Sequence, residues 1–421
     1  MTTTGPARDA SAREVKVLAA VVVPPHLSVS GAARAADRLS DELSRFDDVD
    51  IHVASMADPA PAARRDRAGQ STAARLPVRV TNPLSWTERL LPNRFRTLLY
   101  RSDIPAIVGA GDYDLVHLHN PLPGLELQRV ARAARRAGTP YVVSTHGFVE
   151  IADGAQVSTM SKAVRAAWRV LVQRPVSQVV GGAASVFLLS PSDASVVDQL
   201  GGRGVPTALV PNGVDPPAEG RSDALDELAV ESADGEVKAF FLANHTPNKG
   251  LPVLLDAFQR LEVPFSLVVG GERRDFVDYD RWASDEPGRR ITFTGALSDA
   301  QVDALFTWAD LFVFPTLADT LPLVVLEAMA HGTPVVASEV GGIPFELQGD
   351  CGVLVAPGDA DALAAAVTEL ARDPERRAGM ARRARERVSD TFTWHAAARA
   401  ARTAYARVLG DDRDTALRTG D

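Results

Sequence analysis

Two carboxylates, Asp319 and Glu327, stand eight positions apart in PTLADTLPLVVLEAMAHG (315–332), a run otherwise made mostly of apolar and small residues. Acids in such company point to chemistry, because buried carboxylates are rare unless paired. A general acid–base pair is the first chemistry to weigh. On one continuous helix the two side chains would lie roughly 80° apart around the axis and about 12 Å along it. A hydrolytic pair needs carboxyls about 5–9.5 Å apart with tuned pKa values, so that reading fails. Pro322 suggests another. DLFVFP reads as a strand, TLADTL as a loop, and Pro322 suits the first turn of a helix running to about Ala330. Asp319 then sits on the loop and Glu327 projects from the second helical turn. Between them the backbone amides of Thr320, Leu321, Pro322, Leu323 and Val324 make a helix N-terminus, a good seat for a diphosphate. In that arrangement Asp319 would grip a sugar hydroxyl and Glu327 would accept hydrogen bonds from ribose hydroxyls. The plainer alternative, a helix-capping Asp319 and a solvated Glu327, is weakened by the apolar neighbours VVLEAMA.

Further polar residues fall at the ends of apolar runs. Lys249 precedes a glycine and a helical stretch in LANHTPNKG, where a lysine is ordinarily just exposed. PPHLSVSGAARA (24–35) ends a strand and opens a helix, with Ser30 and Gly31 at the turn. HLHNP (117–121) and STHGF (144–148) also end strands. His117 and His119 are read as alternating across their strand, so that only one faces the crevice; His119, with Asn120 after it, is nearer the strand end. His146 at a strand's carboxyl end is a site candidate by its position. No third ligand stands at useful spacing, which argues against a zinc site. The two DYD triplets (112–114 and 278–280) read as surface acids, so no metal is expected. Cys351 is the single cysteine, which rules out an intrachain disulfide.

These positions need a scaffold. At 421 residues the chain is too long for one ordinary core and predicts two domains of about 200 residues. VKVLAAVVV (15–23), DIHVASM, DLVHLHN (114–120), YVVSTHG (141–147) and SVFLLS (185–190) read as buried strands, each followed by a helical pattern. Residues 57–76 have loop composition, and 210–237 read as a linker rich in glycine, proline and acids. The pattern then restarts with KAFFLAN (238–244), FSLVVGG (265–271), RITFTG (290–295), DLFVFPT (310–316), TPVVASE (333–339) and CGVLVAP (351–357), with helices including 249–260 and 298–308. Near-continuous apolar strands separated by helices predict parallel sheets covered on both faces. The fold class expected is therefore α/β, two Rossmann-like doubly wound domains. In such sheets ligands sit outside the carboxyl ends of the strands, where every polar motif above falls.

Composition narrows the partners. A formal charge of −9 argues against nucleic-acid binding, which needs a clustered basic excess. The longest early apolar run, VKVLAAVVVPP, is too short to span a bilayer, and the first 13 residues read as disordered. A cytoplasmic protein without integral membrane contact is expected. Basic amphipathic segments at 86–101 and 162–174, with Trp86 and Trp168, read as cleft-lining or solvated helices more readily than as membrane-docking ones.

DTLPLVVLEAMAHGTPVVASEVGGIP, followed by GVLVAPGDADALAAAV, resembles the donor-binding signature of family-four retaining glycosyltransferases with the GT-B fold: an acid, seven residues, a glutamate, then LEAMA.G.PVVA. VPNGVD (210–215) is similar to the family's segment entering the inter-domain linker, NKGLPVLLDAF to its KG stretch, and TFTGALS to its base-binding turn. TFTW (391–394) resembles the start of its last helix, which returns to the N-terminal domain. The resemblance covers about 14–408 and implies an acceptor domain at 14–215, a donor domain at 216–390 and a returning helix at 391–410. It implies a nucleotide diphosphate sugar, UDP- or GDP-linked, as co-substrate, with no metal and no other cofactor. Asp319, Lys249 and His146 would be catalytic. Asn244, Gly295, Leu297 and the 319–324 loop, with Glu327, would bind donor; Ser30, Gly31, His119, Asn120 and His146 would line the acceptor side. The departing diphosphate would take the acceptor's proton, which explains why no dedicated base stands out.

Two departures stand out. The family's first acid is usually Glu in E-G-F-G, and Asp319 in D-T-L-P is one methylene shorter. Its diphosphate-clamping Arg, five residues before the Lys, is Asn244 here, and asparagine offers only neutral hydrogen bonds. A protonated His245, or Arg273, could take that place. The alternatives are a GT-B protein that binds nucleotide sugar without transfer and a nucleotide-sugar epimerase, which lacks this acid-x7-Glu context. A nicotinamide dehydrogenase is disfavoured, since no strand is followed by GxGxxG. A soluble small-molecule acceptor is the expectation from the partial match at 24–35.

Overall fold

Apolar runs of four to seven residues become strands that are covered on both faces, which is why they read as continuous rather than alternating. In the computed structural model the described residues are 14–25, 31–57, 73–82, 97–120, 122–152, 161–217, 223–228 and 230–410. The expectations for 1–13, for Ser30, for Trp86 and for most of the 57–76 loop lie outside them.

The first half carries β1 (Val15–Val21), β2 (Val49–Ser55), β3 (Ala74–Leu76), β4 (Val80–Thr81), β5 (Arg101–Ser102), β6 (Leu115–His119), β7 (Tyr141–Ser144), β8 (Ser185–Leu188) and β9 (Thr207–Leu209). Seven of them form a sheet in the order β3-β2-β1-β6-β7-β8-β9, and β4 and β5 make a separate antiparallel pair. The second half carries β10 (Val237–Leu242), β11 (Phe265–Gly270), β12 (Arg289–Gly295), β13 (Leu311–Phe314), β14 (Val335–Ser338) and β15 (Gly352–Val355). Its order is β12-β11-β10-β13-β14-β15. Every neighbour pair within both sheets is parallel. The expected class of two doubly wound α/β halves is what the chain forms. In each sheet the strand order reverses once, between β1 and β6 and between β10 and β13, and those two points open the crevices where ligands sit.

Four strands were not expected: the two-residue pair β4 and β5, whose Arg101 ends the 86–101 segment read as a helix, and, in the seven-stranded sheet, β3 and β9. β3 lies inside the stretch read as loop, and β9 follows the last strand recognised in the first half. Both are three-residue edge strands with largely exposed side chains, so backbone pairing alone defines them and no apolar run marks them.

The first sheet is covered by one apolar cluster on each face, the second sheet by a larger one. The helix α1 (Gly31–Leu43) and the last helix, Trp394–Leu409, cover the same face of the first sheet. That last helix comes after the second sheet in sequence. It crosses back where Val214 N donates to Phe392 O (2.8 Å), and it is fixed by Arg402 to Asp48 (2.6 Å) and by Tyr405. It begins at Trp394, capped by the Thr393 side chain, after a helix Pro374–Thr391.

Candidate active site

The site forms where both switch points meet. β10 ends at Leu242, and the chain runs through Asn244 into a short turn, Pro247–Lys249, before the helix Leu251–Gln259. The helical pattern read from 249 therefore begins two residues late, because Gly250 is left-handed at φ 74°. A Cβ there would sit 1.8 Å from Pro315 O, so only glycine fits. This close approach, with Leu317 N donating to Asn248 O (2.7 Å), docks the Lys249 turn against the loop that follows β13. Lys249 Nζ consequently reaches Asp319 Oδ2 at 2.7 Å. The far side of that loop is held the same way. Gly341 is left-handed, and a Cβ on it would lie 1.8 Å from Asp319 O, while Gly342 N donates to Thr320 O (2.6 Å).

The helix after the loop is Leu323–His331. Pro322 takes the cap position with an extended ψ of 117°, one residue before the first turn where it was expected. Having no N–H, it drops out of the amides proposed at 320–324, which leaves those of Thr320, Leu321, Leu323 and Val324. No side chain caps this end. Thr320 and Leu321 are buried, and Leu321 O accepts from Asn212 Nδ2 of the VPNGVD segment (3.0 Å).

Glu327 is neither solvated nor unpartnered. Its Oε1 accepts from Arg34 Nη2 at 2.8 Å, across the crevice from the first turn of α1, and the carboxylate holds that guanidinium above its ordinary pKa. Sequence reading missed Arg34, Asn212 and Ser192, whose Oγ donates to Gly341 O (2.9 Å). All three reach residues more than a hundred positions away, which no local pattern encodes. What the sequence offered was slight: Asn212 sits in the VPNGVD segment, and Arg34 is a cation set among the alanines that open a helix, of which Ala33, Ala35 and Ala36 are buried.

Asn244 is exposed at the end of β10, and its carbonyl accepts from Thr246 N (2.7 Å). His245 does not supply the missing cation. It is buried, Nδ1 pairs with Tyr279 OH (2.8 Å), and burial together with Arg273 and Arg274 pushes its pKa down. Arg273 donates to Phe293 O (2.8 Å) and lies over the Tyr279 ring. Gly295, left-handed at φ 76°, ends β12 at the same carboxyl edge, and the half-buried Leu297 follows it.

On the first sheet Gly31 opens α1, close enough that a Cβ on it would meet Leu323 Cδ1 at 3.9 Å. His117 and His119 share a face of β6, with ring centroids 3.8 Å apart. The alternating assignment was wrong, because residues two apart on a strand point the same way. His117 Nδ1 pairs with Tyr405 OH and Nε2 with Ser144 Oγ, both at 2.7 Å. The His119 ring lies 6.1 Å from that of His146, and its Nδ1 is buried without a partner. Burial drives His117 down to about 3 and His146 to about 4, so this floor is polar but uncharged at neutral pH. Asn120 follows in the left-handed region at φ 73°. The DYD acids have other work: Asp114 accepts from Lys16 N and Asp278 from Arg281 N. No group of three metal-ligating side chains converges among the described residues.

Two facing parallel-sheet domains, with an acid and a lysine at one switch point and a helix N-terminus between them, define the class of nucleotide-sugar glycosyltransferases of the GT-B type. Residues 29–217 match the family model for Glycosyltransferase Family 4, and 236–373 match that for Glycosyl transferases group 1. Phosphatidyl-myo-inositol mannosyltransferase from Mycolicibacterium smegmatis is 29% identical over 78% of this chain and 80% of its own. MMP α-(1→4)-mannosyltransferase from Mycolicibacterium hassiacum is 30% identical over 71% of this chain and 72% of its own. HepE from Anabaena, solved with UDP and glucose, superposes with a TM-score of 0.70 at 20% identity, covering 94% of this chain and 100% of that one. The chain belongs to glycosyltransferase family 4.

Proposed function

We propose that the protein moves a sugar, with retention, from a UDP- or GDP-linked donor held on the second domain to a soluble polyhydroxylated small molecule held on the first. The observation that carries the reading is the pairing of Lys249 with Asp319 (2.7 Å) and of Glu327 with Arg34 (2.8 Å) on either side of the uncapped start of the 323–331 helix. Donor diphosphate on the amides of Leu323 and Val324 puts its developing charge beside Lys249 Nζ. Asp319 then orients a hydroxyl of the sugar, and Glu327 the ribose. Preorganised donors of this kind stabilise a leaving diphosphate by several kcal/mol. The same diphosphate takes the acceptor's proton as the acceptor attacks on the face it leaves.

The acceptor side of the reading rests on the floor of neutral imidazoles. His119 offers a buried Nδ1 without a partner, and His146 lies beside it, groups that match hydroxyls better than charges. Calorimetric titration with UDP, GDP, ADP and dTDP, repeated on Glu327→Ala, tests the donor half. One nucleotide binding in the micromolar range and weakened in the variant is expected; no binding by any of the four sinks it. Acceptor screening with that nucleotide's sugars, polyols and small glycosides against phosphatidylinositol vesicles tests the other half. Transfer to the vesicles alone would overturn the soluble acceptor.

A further inference from the structure

The donor site as described is short of positive charge. Lys249 faces Asp319 and Arg34 faces Glu327, so two cations meet two carboxylates before any ligand arrives. A diphosphate adds charge on each phosphate, and the helix start contributes only a partial positive end. Asn244 is neutral. His245 is engaged at both ring nitrogens, by Tyr279 OH (2.8 Å) and Gly270 O (3.3 Å), and Arg273 is held on Phe293 O and the Tyr279 ring.

Arg34 is differently placed. It sits in the first turn of α1, whose opening residue Gly31 lies so near Leu323, the first residue of the donor helix, that a Cβ on it would touch Leu323 Cδ1 at 3.9 Å. The two helices thus bring their starts to one spot from opposite domains. The Arg34 side chain keeps 42% of its surface exposed while Glu327 keeps 14%, so the guanidinium has room to turn without the carboxylate moving far. Glu327 is also the acid that the proposed function gives to the ribose.

We propose that Arg34, carried by the acceptor domain, is the second diphosphate cation of the donor site. Donor binding draws the Glu327 carboxylate onto the ribose hydroxyls and releases the Arg34 guanidinium to the diphosphate. Donor binding and apposition of the two domains become one event, because the cation comes from one domain and the amides from the other. The inference rests on the donor site proposed above.

The test compares a nucleoside with its diphosphate on the purified full chain, using whichever of the four bases binds. Arg34→Gln is expected to weaken the diphosphate about 10- to 100-fold, the range of one charged hydrogen bond, and to leave the nucleoside within about twofold. Arg38→Gln, which changes a cation on the same helix and breaks its pair with Asp215 of the VPNGVD segment, is the folding control and should change neither. Adding Asn244→Arg to Arg34→Gln should recover most of the lost affinity by putting a cation back on the donor domain. An unchanged diphosphate affinity in Arg34→Gln overturns the proposal, and so does an equal loss for nucleoside and diphosphate, which would mean that Arg34 only props Glu327. Absence of nucleotide binding by the wild type strikes the donor site itself instead.

Discussion

Lys249 and Asp319 are two residues whose pairing sets what each can do. At 2.7 Å, with both side chains mostly covered, Asp319 fixes the ammonium at the end of a flexible stem. The ammonium is then already in place when charge develops on the leaving diphosphate, so little reorganisation is left for the reaction step. Lys249→Ala should cut kcat on the order of 100-fold or more with a smaller change in KM, the pattern for an interaction strongest in the transition state. Steady-state rates with the donor identified by titration decide this, and near-wild-type kcat removes Lys249 from the chemistry. The histidine floor carries a second prediction. His117 and His146 have folded pKa values depressed to about 3 and about 4 by burial, against an unfolded value near 6.5. Between those values the unfolded chain binds more protons than the folded one, so stability rises with pH and falls on acidification through that window. Glu346 works the other way, since burial raises its carboxyl and its contribution is lost as pH rises. Going from pH 7 to pH 5 should cost on the order of 1–2 kcal/mol per histidine. Urea unfolding at the two pH values should show the drop in wild type and a smaller one in His146→Asn; equal drops in both would remove His146 as a source.

Elements explain why these residues meet, and also how far a sequence alone can reveal it. Gly250 must be left-handed and must have no Cβ, because Pro315 O occupies that place at 1.8 Å. Gly250→Ala should therefore destabilise the protein by about 2 kcal/mol or more and pull Lys249 off Asp319. Its kcat loss should approach that of Lys249→Ala, whereas wild-type stability in denaturant would show that the two loops are not locked together. The glycine's presence after Lys249 was plain in the sequence, but its contact with the loop after β13 was not. The long strands were legible because a sheet covered on both faces demands unbroken apolar runs, as in FSLVVG at β11. Asp319 and Glu327 were legible because acids stand out in such surroundings. Short edge strands such as β9, with burial on one side only, carry no pattern to read. The Arg34–Glu327 contact spans 293 positions and depends on how two separate domains face each other, which no local periodicity encodes.

At the scale of the whole molecule the last helix decides how the halves behave together. Trp394, Ala397, Ala398, Ala401, Ala404 and Tyr405 bury themselves in the core of the first sheet, although the chain has by then completed the second. Small residues let this helix lie close against α1, and Tyr405 OH reaches His117 beneath the crevice floor. The first domain therefore lacks part of its core until the second domain has been made and the chain has crossed back. Such an arrangement makes the two sheets unfold as one unit, because losing the helix exposes the apolar face it covers. Ala401 is fully buried, and a carboxylate there has no partner among the core residues around it. Ala401→Asp should release the helix and split a single calorimetric transition in two. The first sheet would melt at markedly lower temperature, and the second, whose core contains none of the helix, would melt near the wild-type value. A variant that still melts in one transition, merely shifted, would mean that contacts across the crevice such as Arg34–Glu327 and Asn212–Leu321 couple the halves without the helix.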